Sequence, residues 1–377
     1  MKISYVTSYD ASDIHNWSGL GYMIADALRN QDHEVNLIGS LKSSPSAEMY
    51  LKKLYYKILG KDFDFGRELH TARQYAAQIK SRVSSDSDVI FSPSTLPVSL
   101  LDISKPKVFY TDATFAGMIG FYDYLSNLSS STIKSGNELE RQALESCALA
   151  IYSSEWAANT AVEHYNADPD KIKVVPFGSN VVSGKDLNEI RTIINNKKHG
   201  ECNLLFLGVD WKRKGGDIAL EVVNILNANG LKATLHIAGV KNFPFEVAPP
   251  HVRNYGFISK SDPEGIMLMN KLLVESHFLL LPTRADCTPV VFSEANSFGL
   301  PCITTNVGGI PTIIREDVNG KAFQIQSSAM EYASYIESVF SNWSSYQQLS
   351  LSSFNEYESR LNWDVAGRTI TQLMSEL

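Results

Sequence analysis

Three short segments of the 377-residue chain carry residue types that bind anions and hydroxyl groups. The first, Phe206-Leu207-Gly208-Val209-Asp210-Trp211-Lys212-Arg213-Lys214-Gly215-Gly216, sets three consecutive cations between glycines that let a backbone come close to a ligand. Such a triplet neutralises a diphosphate without a metal. Taken alone, a run of three charges is more often a solvated turn. The second segment ends an apolar run at Pro282 and passes Asp286, Thr288 and Pro289 to reach Glu294-Ala295. Thr288-Pro289 predicts an N-cap followed by proline at the first helical position, with the amides of Thr288, Val290 and Val291 at the positive end of a helix over residues 289–298. Asp286 precedes that helix and Glu294 lies about one and a half turns inside it. Two carboxylates then flank one anion site, and carboxylates accept hydrogen bonds from the adjacent hydroxyls of a ribose or hexose. An ordinary capped helix with solvent-facing acids has the same letters. The third segment, residues 305–311, holds Gly308-Gly309, which permits positive φ and close approach but equally shapes a plain turn.

These segments need elements to hold them. Short apolar runs alternate with longer amphipathic stretches, the pattern of parallel sheets covered by helices. Strands are expected at residues 3–7, 34–38, 89–91, 107–110, 148–152 and 172–175, with helices at 20–30, 67–83, 133–146 and 155–165. Residues 176–180 form a turn-rich break. The pattern then restarts, with strands at 203–207, 233–237, 252–255, 278–281 and 302–304, helices at 215–229, 263–274 and 289–298, and a helical tail from about residue 328. The expected fold class is α/β: two Rossmann-like doubly wound parallel-sheet domains facing a central cleft. Their bounds are 1–182 and 183–360, with a helix over 361–377 crossing back to the first. All three candidate segments fall at strand ends of the second domain, where ligands of such sheets bind.

The chain is 44% hydrophobic and 20% charged, which excludes collagen-like, disordered and disulfide-scaffold classes. Its 34 basic and 41 acidic residues leave a net charge of −7, which argues against a nucleic-acid partner. Cys147, Cys202, Cys287 and Cys302 form no CxxC or Cys/His cluster, so reduced thiols fit better than zinc or disulfides. The N-terminus is too polar for a signal-peptide core, and no window approaches the roughly 18 apolar residues of a membrane span. The expected location is cytoplasmic, or peripheral at the inner face of a membrane.

Jointly, the motifs of the second half resemble the retaining GT-B glycosyltransferases of family 4 (glycosyl transferases group 1). That family's motif reads Glu, seven residues, Glu-Ala, followed by Gly-x-Pro and Gly-Gly-x-Pro. Here stand Asp286, seven residues, Glu294-Ala295, then Gly299-Leu300-Pro301 and Gly308-Gly309-Ile310-Pro311. Arg213-Lys214-Gly215 is similar to the family's cationic Lys-Gly element, and Trp363 to the aromatic near the start of its C-terminal helices. The likeness covers residues 203–320 by motif and the first half mainly by architecture. It implies a metal-independent hexosyltransferase that moves a sugar from a nucleotide-diphosphate donor to a carbohydrate, lipid-linked or protein-linked hydroxyl acceptor, with retention, in cell-surface polysaccharide or glycoconjugate synthesis. No cofactor is implied beyond the nucleotide sugar itself, which is a co-substrate. By the same resemblance the first domain is the acceptor side and the second binds the donor. Lys214 and Arg213 would hold the diphosphate and Asp286 the donor sugar, these three being the catalytic set. Glu294 would hold the ribose, with Lys212, Thr288, Pro289, Val290 and Val291 around the donor, and Gly19, Gly21 and Asp112 reaching it from the first domain. The chain departs from the family at Asp286, one methylene short of Glu, at Val209 in place of Arg, and at Thr111 in place of His.

Other features compete. Trp17-Ser18-Gly19-Leu20-Gly21 lacks the third glycine of a dinucleotide fingerprint, and Ser40 stands where an NAD-binding acid would. Asp13 and His15 in the same loop are acceptor-side candidates. Asp62 and Asp64, among residues read as helical, and Asp86 and Asp88, before a strand, have metal-pair spacing but read as surface acids, so no metal is expected. Residues 50–61 place Leu51, Leu54, Tyr55, Ile58 and Leu59 on one helical face and Lys52, Lys53, Lys57 and Lys61 on the others. That stripe suits either docking on its own domain, the preferred reading, or contact with anionic lipid. A nucleotide-sugar epimerase, a phosphorylase and a non-catalytic nucleotide-sugar-binding protein are the alternatives on the same two-domain plan.

Overall fold

Runs of β-branched and aromatic residues give the first half six strands: β1 (Lys2–Val6), β2 (Glu34–Ile38), β3 (Val89–Ser92), β4 (Lys107–Thr111), β5 (Leu149–Tyr152) and β6 (Ile172–Val174). The structure, a computed structural model, describes residues 1–181, 183–259 and 262–377. All pairings are parallel, in the order β2-β1-β3-β4-β5-β6. Strands β3, β4 and β5 are buried at every position, which is why they read as mostly apolar runs, whereas the edge strand β2 alternates.

The second half holds β7 (Cys202–Leu207), β8 (Ala233–Ala238), β9 (Val252–Asn254), β10 (Phe278–Leu281), β11 (Cys302–Thr305) and β12 (Gly320–Phe323), again all parallel, in the order β12-β11-β10-β7-β8-β9. Counted from β7, this is the 3-2-1-4-5-6 order of dinucleotide-binding sheets. The direction of winding reverses between the neighbours β7 and β10. Chain connections on either side of that point leave in opposite directions, so the loops after β7 and β10 open a crevice between them. In the first sheet the reversal falls between β1 and β3.

The chain divides into two compact units: Met1–Pro176 with Trp363–Leu377, and Phe177–Asn362. The junction expected after residue 182 involves a position outside the described residues; the observed division lies at Pro176–Phe177. The final helix, Trp363–Met374, packs on helix Leu20–Arg29 within the first unit. Gly367 makes the approach close, since a Cβ there would lie 2.8 Å from the Ala27 carbonyl oxygen.

Elements not expected include strand β12, the short helices Phe115–Met118 and Ile310–Ile313, and helix Leu187–Asn196 with its Asp186/Glu189 capping box. Asp62 and Asp64 lie in the connection between helices and not within one. Asp64 accepts from the Gly66 amide, Asp86 pairs with Lys2, and Asp88 accepts from the Lys2 amide. The preferred docking of the 50–61 stripe is overturned. Helix Ala47–Ile58 packs through Met49 and Tyr56 instead and leaves the five stripe residues exposed. All four cysteines are buried, and among the described residues no disulfide joins them. Among the described residues, no helix is long and apolar enough to cross a membrane, and no group of three or more His, Cys, Asp or Glu is placed to hold a metal ion.

Candidate functional site

The loop after β7 begins at Gly208, and its three cations are sorted by the backbone. Lys212 is exposed, Arg213 is half-buried and Lys214 is buried. Gly208 carries the Lys214 stem across its face, since a Cβ there would meet Lys214 Cγ at 3.0 Å. Gly215 then takes φ of +77° to start helix Gly216–Ala228. A Cβ at Gly215 would fall 1.9 Å from the Pro282 carbonyl oxygen, so glycine is demanded twice, by the turn and by the neighbouring loop.

That neighbour is the loop after β10, and the two are clasped by backbone as well as side chains. The Arg284 amide donates to the Arg213 carbonyl (2.7 Å), and the Arg284 guanidinium grips Asp217 with two bonds (2.8 and 2.7 Å) while also donating to the Lys212 carbonyl. The pairing with Asp217 holds its carboxyl below the usual range. At the centre stands Asp286. Lys214 Nζ donates to both its oxygens (2.9 and 2.8 Å), Arg213 donates to Oδ1 (3.2 Å) and to the Ala285 carbonyl (2.7 Å), and Thr283 Oγ1 donates to Oδ2 (2.8 Å). Asp286 and Lys214 are only 6% and 8% exposed, so this cluster is held away from bulk water. Two cations against one carboxylate leave it a net positive charge. Lys214 has three N–H donors and spends two on Asp286, so one remains for a ligand.

The expected helix over 289–298 is corrected. The element is Val291–Asn296, with Val290 as the flanking residue and no side-chain cap. The Phe292 amide bonds back to Pro289 and the Glu294 amide to Val290, so the chain enters through a tight turn at Pro289–Val290. Thr288 is therefore not the cap, and Glu294 lies in the first turn instead of one and a half turns in. So short a helix carries a small dipole, which shifts the weight of anion binding onto Lys214 and Arg213. Glu294 is 1% exposed, on the element that follows Asp286. Beneath it Asn296 and Asn319 are hydrogen bonded (2.7 Å), and Asn296 also reaches the Leu300 carbonyl, which fixes the Gly299-Leu300-Pro301 turn.

In the first unit the sequence candidates fall at the ends of two strands separated by β3. Gly19 (φ +83°) precedes helix Leu20–Arg29, behind Trp17 and Ser18, which also have positive φ. Gly21 is filled from within the unit, since a Cβ there would lie 2.3 Å from the Tyr9 hydroxyl. Asp13 is exposed and closes its own turn by accepting from the His15 amide and Asn16 Nδ2; His15 is exposed beside it. Asp112 is half-buried just past β4.

A cavity of about 500 Å³ opens at the other end of the second sheet, lined by Lys197, Asn203, His236, Arg253 and His277 among others. Its polar groups are already engaged in holding the fold. The Asn203 amide donates to His277 Nδ1 (2.9 Å), leaving Nε2 to donate to the Lys198 carbonyl (3.1 Å), and Lys197 Nζ donates to the Ser276 carbonyl. Burial pushes His277 down to about 3, His236 to about 4 and Lys197 to about 7. These groups are spent on holding the fold, so we place the candidate site at the strand ends carrying Lys214 and Asp286. Sequence reasoning missed Thr283, three residues from Asp286, and also Arg284 and Asp217, because nothing in the letters pairs positions 67 residues apart.

Residues 22–181 match the family described as Glycosyltransferase Family 4, and residues 189–354 match Glycosyl transferases group 1. The chain is similar to an uncharacterized 41.2 kDa protein in the cps region of Klebsiella pneumoniae, 25% identical over 224 residues, 59% of this chain and 58% of that one. The chain spans about half the length of the curated relatives it matches. Among solved structures it resembles sucrose-phosphate synthase from Thermosynechococcus elongatus, with a TM-score of 0.70 and 13% identity over 100% of this chain and 98% of that one. It also resembles Anabaena Alr3699/HepE, solved in complex with UDP-glucose, with a TM-score of 0.65 and 14% identity over 100% of both chains. At these identities the structural likeness establishes the GT-B fold. With the two family matches spanning most of its length, the chain belongs to the GT4-type glycosyltransferases.

Proposed function

We propose that the protein transfers a sugar from a nucleotide-diphosphate donor to a hydroxyl acceptor, with retention at the anomeric carbon. The observation that carries this reading is the buried Lys214–Asp286–Arg213 cluster at the reversal point of the second sheet. A departing nucleoside diphosphate gathers negative charge as its bond to the sugar breaks, and fixed cations in a water-poor site stabilise that charge. Lys214 and Arg213 supply them in place of a metal. The bond from C1 to the β-phosphate oxygen breaks, the acceptor oxygen bonds C1 on the same face, and the acceptor proton passes to the leaving phosphate. Asp286 aligns both cations and faces the sugar's hydroxyls, while Glu294 takes the ribose. The acceptor belongs to cell-surface polysaccharide or glycoconjugate synthesis, and Asp13 and His15 are its candidate contacts in the first unit.

Turnover of UDP-, GDP-, ADP- and dTDP-sugars, preceded by a thermal-shift screen of the same compounds, tests the reading. UDP-glucose, the compound bound in the HepE structure, is the first to try. One donor should raise the melting temperature and be consumed with release of nucleoside diphosphate when a hydroxyl acceptor is present. Tight binding without transfer or hydrolysis over hours would make the protein a binding protein, and conversion of the donor without acceptor would make it an epimerase.

Glu294→Gln removes a charge-assisted contact to the ribose, and is expected to raise the donor KM by about tenfold or more with little change in kcat. A fall in kcat at constant KM would move Glu294 from binding to chemistry.

A further inference from the structure

Helix Ala47–Ile58 is amphipathic the wrong way round for a helix that serves only its own domain. At 100° per residue, Leu51, Leu54, Tyr55, Ile58 and Leu59 occupy one sector of about 140°. All five are between 53% and 77% exposed. The opposite side does the packing. Met49 is buried, Tyr56 stacks on Phe63 and its hydroxyl meets Ser130 Oγ (3.0 Å), and Lys52 is turned inward between Glu48 (3.0 Å) and Glu68 (3.6 Å). The helix is firmly seated by its polar and aromatic side and shows its aliphatic side to solvent. Isolated exposed apolar side chains need no explanation, but five in a single row do.

The flank of that row is cationic. Lys57 and Lys61 are exposed, with Lys61 tied to Asn127 Oδ1 (3.0 Å), whereas Lys53 rests over the Phe65 ring on the seated side. The nearby acids include Glu48 and Glu68, both paired with Lys52, and Asp62 and Asp64 beyond the end of the helix, Asp64 being engaged with Gly66. The chain as a whole has a net charge of −7, so this patch runs against the prevailing sign. Asn127 also bonds the Gly60 carbonyl (2.7 Å), and shortly before it Tyr124 stands 70% exposed.

We infer that this helix lies on an anionic lipid bilayer, with its aliphatic row in the acyl boundary and Lys57 and Lys61 among the phosphates. Aliphatic side chains on one face, tyrosines at the margin and lysines along the flank are what an interfacial helix requires, because long cationic stems keep their charge in the headgroup layer while the row sinks below it. A second copy of this chain fits less well, since face-to-face pairing would press two lysine flanks together. The inference is independent of the proposed reaction, and its test does not use activity.

The full chain is sedimented with phosphatidylcholine vesicles, with and without about one third phosphatidylglycerol. Binding is expected to the anionic vesicles only. Leu54→Gln/Ile58→Gln should weaken it about tenfold or more, and Lys57→Ala roughly fivefold. Because these side chains are exposed, the variants should melt at the wild-type temperature, so lost binding is not lost folding. Failure to bind anionic vesicles overturns the inference, as does binding that the substitutions leave unchanged. A concentration-dependent dimer abolished by the same substitutions, without vesicle binding, would assign the face to a second copy instead.

Discussion

Lys214→Ala is expected to lower kcat for sugar transfer by about 100- to 1,000-fold, the range seen when one preorganised donor to a developing anion is removed. The effect belongs to chemistry, because the lysine's remaining N–H faces charge that is greatest as the diphosphate departs. Lys214 is the main partner of a carboxylate only 6% exposed, and a buried charge stripped of its partner destabilises by about 3–5 kcal/mol. Arg213 and Thr283 still hold Asp286 in the variant, so a smaller loss is expected. The double variant Lys214→Ala/Asp286→Ala separates the two effects, since it removes the orphaned charge along with the cation. It should recover most of any lost melting temperature and recover no turnover. If Lys214→Ala transfers sugar at the wild-type rate, the diphosphate does not sit at this cluster.

Much of this site was legible before the structure. Three consecutive cations after one strand, and two acids spaced by seven residues after another, mark the right segments because they sit where parallel sheets end. Strands β2 and β10 fall at the expected residues, and most others within one or two positions. What the letters do not carry is strand order. That β10 lies beside β7, and so brings Asp286 within 2.8 Å of Lys214, follows from the reversal of winding, which no local pattern encodes. The same limit hid Arg284 and Asp217. Strand β12 was missed because Gly-Lys-Ala-Phe at a sheet edge is only half-buried and lacks β-branched residues. The helix after Pro289 was overextended because a Thr-Pro start signal was read without the tight turn that absorbs its first residues. The stripe at 51–59 was misplaced for a deeper reason: periodicity shows that a face is apolar, not what covers it.

The two units are expected to respond to pH in opposite directions. In the first, Glu140 is buried in helix Ser130–Ser146, accepts a bond from Thr95 Oγ1 (2.6 Å) through one oxygen, and has no hydrogen-bond partner for the other. Burial pushes its carboxyl up from 4.5 to about 7, against the opposing pull of Thr95 and Arg67. Between those values the folded chain keeps a proton that the unfolded chain has lost, so stability is fully present below about 4.5 and falls as pH rises to about 7. The whole change is worth about 3 kcal/mol. In the second unit, burial lowers His277 to about 3 and His236 to about 4, so protons favour the unfolded chain and stability grows as pH rises towards 6.5. Lys197, lowered to about 7, extends the gain above neutrality. Exposed acids such as Asp86, lowered to about 2, act below this window and do not blur it. Amide hydrogen exchange followed separately in helix Ser130–Ser146 and in β10, at about pH 5 and about pH 8 and corrected for intrinsic rates, reads the two units apart. Protection should fall with pH in the first and rise in the second. Glu140→Gln should flatten the first response and leave the second untouched, because an amide cannot ionise. A first unit that gains protection with pH would mean that Glu140 is already charged at neutrality.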